Sequence, residues 1–153
     1  MIALAALSAW ASVADARRRV IPNLACVLVA SCGLCLQLSR LLAPGALAAL
    51  PLTHAVAAGL PAPASCLAWG AGSFVGGLGL EWLLRAVSGR AGLGLGDVKY
   101  LASWALTLGW LVLPALAGAC LAGAACALAR RRRAFALGPW LSAAFLAACA
   151  LAG

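Results

Sequence analysis

Acidic side chains are nearly missing from this chain of 153 residues, whose three carboxylates are Asp15, Glu81 and Asp97. Charged residues of both signs make up only 9% of it, against 66% hydrophobic residues. A soluble domain of this size has too little interior to hide so much apolar surface, which points to lipid as the solvent. Histidine is scarce too. His54 is the single one, and no H-E-x-x-H string occurs, so serine- and metalloprotease chemistry find no support. Seven cysteines are present but all lie within or at the ends of apolar runs. Cys32 and Cys35 form one C-x-x-C, and no second pair has zinc-ligand spacing, so no metal site or cofactor is expected. The cysteines read as small buried apolar residues.

What the chain has is long uncharged runs. Residues 20–39, 41–80 and 100–129 carry no Lys, Arg, Asp or Glu. A membrane span needs about 20 apolar residues at a rise of about 1.5 Å each. The expected fold is therefore all-α, a single polytopic membrane bundle over residues 1–153 with about six spans. The spans are read at residues 2–15, at 21–39 with Pro22 in the first turn, and at 65–87. In the third, Gly70, Gly72, Gly76, Gly77 and Gly79 let neighbouring helices approach closely. Residues 42–63, including a solvated His54, read as a loop with a short interfacial helix. Residues 100–129 fit one long helix or two short ones, and charge decides between them. Lys99 precedes the run and Arg130 to Arg133 follow it. A hairpin turning near Gly109-Trp110 puts both basic ends on the cytoplasmic side and Trp110 at the opposite interface. The last span is residues 135–151.

This topology has both termini outside. It puts Arg17, Arg18, Arg19, Arg85, Arg90, Lys99 and the Arg130 to Arg133 run on the inner side, with Arg40 alone outside. The net charge of +8 then marks orientation and contact with membrane lipids, and no nucleic-acid partner is expected. The first run also invites comparison with a signal peptide, since Ala14-Asp15-Ala16 is loosely A-x-A-like. But it lacks a basic n-region, and its basic residues follow the apolar stretch instead.

The three acids differ in how they are explained. Glu81 precedes Arg85 by one helical turn, a favourable ion-pair spacing. Asp15 falls at the C-terminal end of its helix, where the helix dipole disfavours an anion. Pairing with Arg18 or Arg19 is the structural explanation open to it. Asp97 follows Gly94-Leu95-Gly96 and opens a helical run, so it fits an N-cap. Capping leaves the two glycines unexplained; they permit backbone shapes closed to other residues and leave room for an extended peptide. By the charge-based topology Asp15 and Asp97 share the cytoplasmic edge. Two neighbouring carboxylates do not both ionise easily and share a proton. One then activates a water and the other donates to a scissile carbonyl, which suggests an aspartic protease.

The strings that hold these residues resemble those of the type IV prepilin peptidases, aspartic proteases of the inner membrane. Asp15, the arginines after it and Ile21-Pro22-Asn23 are similar to the family's first motif. Gly94-Leu95-Gly96-Asp97-Val98-Lys99 is similar to its Gly-x-Gly-Asp-x-Lys motif. Phe135-Ala136-Leu137-Gly138-Pro139-Trp140-Leu141 resembles a string of its final span. The resemblance runs from about residue 14 to the C-terminus. It implies a multi-pass protein of the inner membrane that removes the basic leader of prepilins or pseudopilins at the cytoplasmic face. It also implies Asp15 and Asp97 as catalytic, with Gly94, Gly96, Lys99, Pro22 and Asn23 in support. Lys99 would orient Asp97 or a substrate carboxylate, or simply snorkel to the interface.

Larger members carry a zinc-binding insertion with paired C-x-x-C strings and methylate the new terminus. This chain has no counterpart of that insertion, so methyltransferase activity is not expected. Its compact form resembles members serving Flp-type pili, or archaeal flagellins and pilins. Two other readings compete. Intramembrane proteases of the presenilin type share G-x-G-D but place Tyr before their first aspartate, where this chain has Val13-Ala14. A non-enzymatic small transporter or pilus assembly factor would use both aspartates as ion or proton ligands.

Overall fold

A computed structural model describes residues 2–18, 20–42, 59–89, 94–131 and 137–152. His54, the expected interfacial helix, Arg19, Arg90, Arg132, Arg133 and Phe135-Ala136 lie outside the described residues. Within them the chain is all helical: α1 (Ile2–Arg18), α2 (Asn23–Leu42), α3 (Pro63–Ser88), α4 (Leu95–Leu108), a 3-10 turn (Gly109–Leu111), α5 (Val112–Ala129) and α6 (Gly138–Ala152). The helices extend a few residues beyond most of the expected bounds. Pro22 falls just before α2 rather than inside its first turn, and its carbonyl accepts from the Ala25 and Cys26 amides. Pro63 opens α3, where its missing N–H costs no helical bond.

The direction of each helix follows from side-chain contacts. At one end, Lys99 of α4 reaches Asn23 of α2. At the other, Gln37 of α2 reaches the Leu106 and Thr107 carbonyls of α4. These two helices therefore run parallel. Helix α3 runs opposite to them, with Gly70 over Leu106 and Gly77 over Val98. An added Cβ would lie 2.4 Å from Leu106 Cδ2 at Gly70 and 2.6 Å from Val98 Cγ1 at Gly77. Two of the five glycines of α3 thus set the α3–α4 approach, as small residues do between packed helices. Gly72, Gly76 and Gly79 face open space instead.

Residues 95–129 are not one straight helix. Gly109 has φ 58° and ψ −133°, a conformation that side-chain-bearing residues avoid. The chain turns there through 109–111 and α5 heads back, so that Leu113, Leu116 and Cys120 share a cavity with Gly76, Leu80 and Leu137. The break frees carbonyls at the end of α4, and buried Gln37 satisfies two of them through Nε2 at 3.1 and 3.2 Å. Arg40 then donates to Gln37 Oε1 and to the Leu60 and Pro61 carbonyls. A polar clamp holds this end of the bundle together.

The core centres on Tyr100, Trp104 and Phe145, all fully buried, with ring centroids 5.4 to 6.5 Å apart. Offset and tilted ring pairs at these distances are favourable. They join α4 to α6, which runs parallel to it. Around this core the helices turn large apolar side chains outward: Val75, Trp82, Val87, Leu121 and Leu128 are among the most exposed. Two stretches, Asn23–Leu42 and the interrupted Leu95–Ala129, are long and apolar enough to cross a membrane, and Gly138–Ala152 is a shorter apolar helix. The cysteines depart from expectation. Cys26, Cys66 and Cys149 are buried, but Cys35 and Cys120 are exposed on apolar helix faces, and all seven are free thiols.

Candidate active site

The expected pair Glu81–Arg85 forms within α3, with the carboxylate buried and the guanidinium half exposed. Glu81 thereby leaves the list of chemically active acids, and attention falls on the end of the bundle that holds Asp15.

Four chain segments meet at that end: the last turn of α1, the approach to α2, the first turn of α4 and the start of α6. Asp15 is only 6% exposed. Neither Arg17 nor Arg18 comes within ion-pair distance of it. Its partner is instead a backbone group: the Gly138 amide donates to Asp15 Oδ2 at 2.9 Å in buried surroundings. A hydrogen bond from a helix's first amide suits a carboxylate, because those amides lack partners within their own helix.

Asp97 stands in the first turn of α4, at the same end of the bundle as Asp15. Gly94, with φ −69° and ψ 133°, is the N-cap of this helix, and Asp97 is its third residue. The N-cap position weighed for Asp97 is thus held by Gly94, which has no side chain to cap with. The expected role of the glycines is corrected as well. Neither Gly94 nor Gly96 has positive φ, so unusual backbone shape is not their use. Absence of a side chain is. A Cβ at Gly94 would lie 3.1 Å from Asp97 Oδ2, tight enough to push on the carboxylate. A Cβ at Gly96 would make ordinary contact with Ile21, 3.5 Å from its Cβ, so Gly96 seats α4 on the segment leading into α2.

Lys99 makes a hydrogen bond from Nζ to Asn23 Oδ1 at 3.2 Å, tying the first turn of α4 to that of α2. No carboxylate among the described residues lies within ion-pair distance of it. Of the expected supporting residues, Asn23, Gly94, Gly96 and Lys99 are brought together beside Asp97, and Pro22 ends the connection that delivers Asn23. Gly138 is the residue that sequence reasoning passed over. It stood inside the third motif string, but its contribution is a main-chain N–H, which no residue type advertises.

Below the carboxylates a buried side-chain bond ties α4 to α6. Tyr100 is one turn beyond Asp97, and Ser142 is one turn beyond Gly138. Their hydroxyls bond at 2.8 Å in a fully buried position. This bond fixes the register of the helix carrying Asp97 against the helix whose amide holds Asp15. Beside Lys99 an apolar groove of about 540 Å³ opens between α2 and α3. Asn23 and Lys99 stand at one end, and Val27, Ala30, Leu67 and Phe74 are among its walls.

The profile of the type IV leader peptidase family matches residues 2–128, most of the chain. No curated protein and no solved structure is significantly similar to it. The chain belongs to the type IV leader peptidase family, which makes it a peptidase and agrees with the resemblance drawn from its motifs.

Proposed function

We propose that this member of the type IV leader peptidase family is a membrane aspartic endopeptidase. It removes the basic leader of a type IV prepilin or pseudopilin, with Asp15 and Asp97 as its catalytic dyad. What supports the reading is the placement of two acids, far apart in sequence, at one end of the bundle: Asp15 in the last turn of α1 and Asp97 in the first turn of α4. In the proposed dyad the two carboxylates share one proton. The ionised one takes a proton from water as the water's oxygen attacks the scissile carbonyl. The protonated one donates to the carbonyl oxygen. Collapse of the tetrahedral intermediate then breaks the C–N bond and returns a proton to the leaving amine, with no covalent enzyme intermediate. Apparent pKa values in the pH profile belong to the pair rather than to either residue.

All six helices are read as crossing the inner membrane, with both termini outside and the aspartates at the cytoplasmic edge. The excess of Lys and Arg at that end supports this orientation, and the outward apolar side chains then face lipid. A site at the edge suits a substrate whose apolar helix stays in lipid while its basic leader reaches the dyad. Lys99, free of any carboxylate partner among the described residues, supports the site from Asn23.

Co-expression with a tagged prepilin tests this. The wild-type chain should shorten the prepilin by its leader, and Asp15→Asn and Asp97→Asn should each leave it full length. Processing that persists in both variants would overturn the dyad.

A further inference from the structure

We propose that Gly138 is a positioning residue for Asp15: its amide anchors one carboxylate oxygen, and its lack of a side chain is what allows the carboxylate to sit there. The proposal rests on the reading of Asp15 as catalytic and adds to it a role for the start of the last helix.

Three observations carry it. First, the Gly138 N–H donates to Asp15 Oδ2 at 2.9 Å, between a helix end and a helix start 123 residues apart in sequence. Second, the space a side chain would need is already occupied by the aspartate. A Cβ built on Gly138 would lie 2.7 Å from Oδ2, 2.9 Å from Cβ and 3.0 Å from Cγ of Asp15. Those distances reach the root of the side chain, so a rotation of the carboxylate alone does not relieve them. Third, Gly138 sits at the first position of α6 and does not have positive φ. Its backbone is therefore open to alanine, and intrinsic preference there would favour alanine. The chain nevertheless has glycine where the three atoms nearest to an added Cβ all belong to Asp15.

With Oδ2 fixed on the amide, Oδ1 is the oxygen assigned to the reaction. The Tyr100–Ser142 bond extends the anchor to the other acid. It links α6 one turn after Gly138 to α4 one turn after Asp97, so the two carboxylates are referred to one rigid frame. A catalytic group displaced by about 1 Å loses on the order of 10²-fold in rate, and the clash at Gly138 requires a displacement approaching that size.

The test uses Gly138→Ala in the full-length protein with a prepilin substrate. The expected result is a fall in kcat of about 10²-fold with KM within about twofold of wild type. Equal kcat in the variant would overturn the proposal, and so would a loss confined to KM. A stability cycle reads the contact independently of activity, so it holds even if no prepilin is cleaved by the wild type. Gly138→Ala should destabilise the wild-type background but not the Asp15→Ala background, where the obstructing side chain is gone. Equal destabilisation in both backgrounds would show that Gly138 serves something other than Asp15. If Gly138→Ala does not accumulate, the double variant decides: accumulation supports the proposal and failure overturns it.

Discussion

Replacing Gly109 with alanine should unfold the turn between α4 and α5 more readily than any other glycine change in that stretch. Two costs add. At φ 58° and ψ −133° the backbone lies in a region essentially reserved for glycine, and a side chain there costs about 1–3 kcal/mol. The new Cβ would also lie 3.1 Å from Cys66 Sγ and 3.2 and 3.3 Å from Pro61 Cγ and Cβ. Overpacking of that kind adds about 1–3 kcal/mol where neighbours cannot yield. Pro61 is a ring and Cys66 is fully buried, so relief is limited. Against this stands a gain of about 0.4–1 kcal/mol from reduced freedom of the unfolded chain. The balance is a loss of about 1–5 kcal/mol. It should be read as an earlier transition on SDS titration in mixed micelles, followed by far-ultraviolet circular dichroism. Gly118→Ala is the matched control. It lies inside α5 with nothing within 4 Å of its added Cβ, and should be neutral or stabilising by up to about 1 kcal/mol. If Gly109→Ala matches Gly118→Ala or exceeds wild type in stability, residues 95–129 run on as one helix and the fold described here is wrong.

Other expectations follow from the same contacts. Gln37→Leu leaves one buried and one partly buried carbonyl of α4 without their donor and should cost about 1–3 kcal/mol by the same titration; no loss would mean the clamp is idle. Gly70→Ala should destabilise, because its Cβ meets Leu106. Gly72→Ala, two residues away and facing open space, should not, and equal effects would contradict the α3–α4 seam. Tyr100→Phe removes the hydroxyl from the buried pair with Ser142 and should cost about 0.5–1.5 kcal/mol. Cleavage should also slow, since the helices bearing Asp97 and Gly138 lose their shared register; full activity in this variant would remove the register argument.

Much of the site was legible because its side chains are rare where they stand. Asp15 and Asp97 attracted attention as isolated acids in apolar surroundings, and Glu81 was discounted correctly by its spacing to Arg85. The turn at Gly109 was reached from the basic residues flanking the run, with no knowledge of the glycine's dihedral angles. What stayed hidden depends on groups that sequence does not distinguish. The Gly138 amide is a main-chain donor, and its value comes from the arrival of Asp15 across the bundle. Gln37 carries no signal in the sequence, because its partners are carbonyls near a break in a helix 69 and 70 positions onward. The glycines before Asp97 suggest both unusual dihedral angles and room beside the carboxylate; neither has positive φ, and at Gly94 the missing Cβ does leave space beside Asp97. Exposed Cys35 and Cys120 show the limit of treating every cysteine as core when a helix face has no soluble partner to pack on.

The most direct test of the dyad is single-turnover cleavage of a prepilin by the purified, reconstituted protein and by Asp15→Asn, Asp97→Asn and the double variant. Residues that act as one unit lose nearly everything at the first substitution. Each single variant should fall by at least about 10³-fold and the double variant no further. A single variant that keeps a tenth or more of the wild-type rate, or losses that multiply in the double variant, would contradict a shared proton between Asp15 and Asp97.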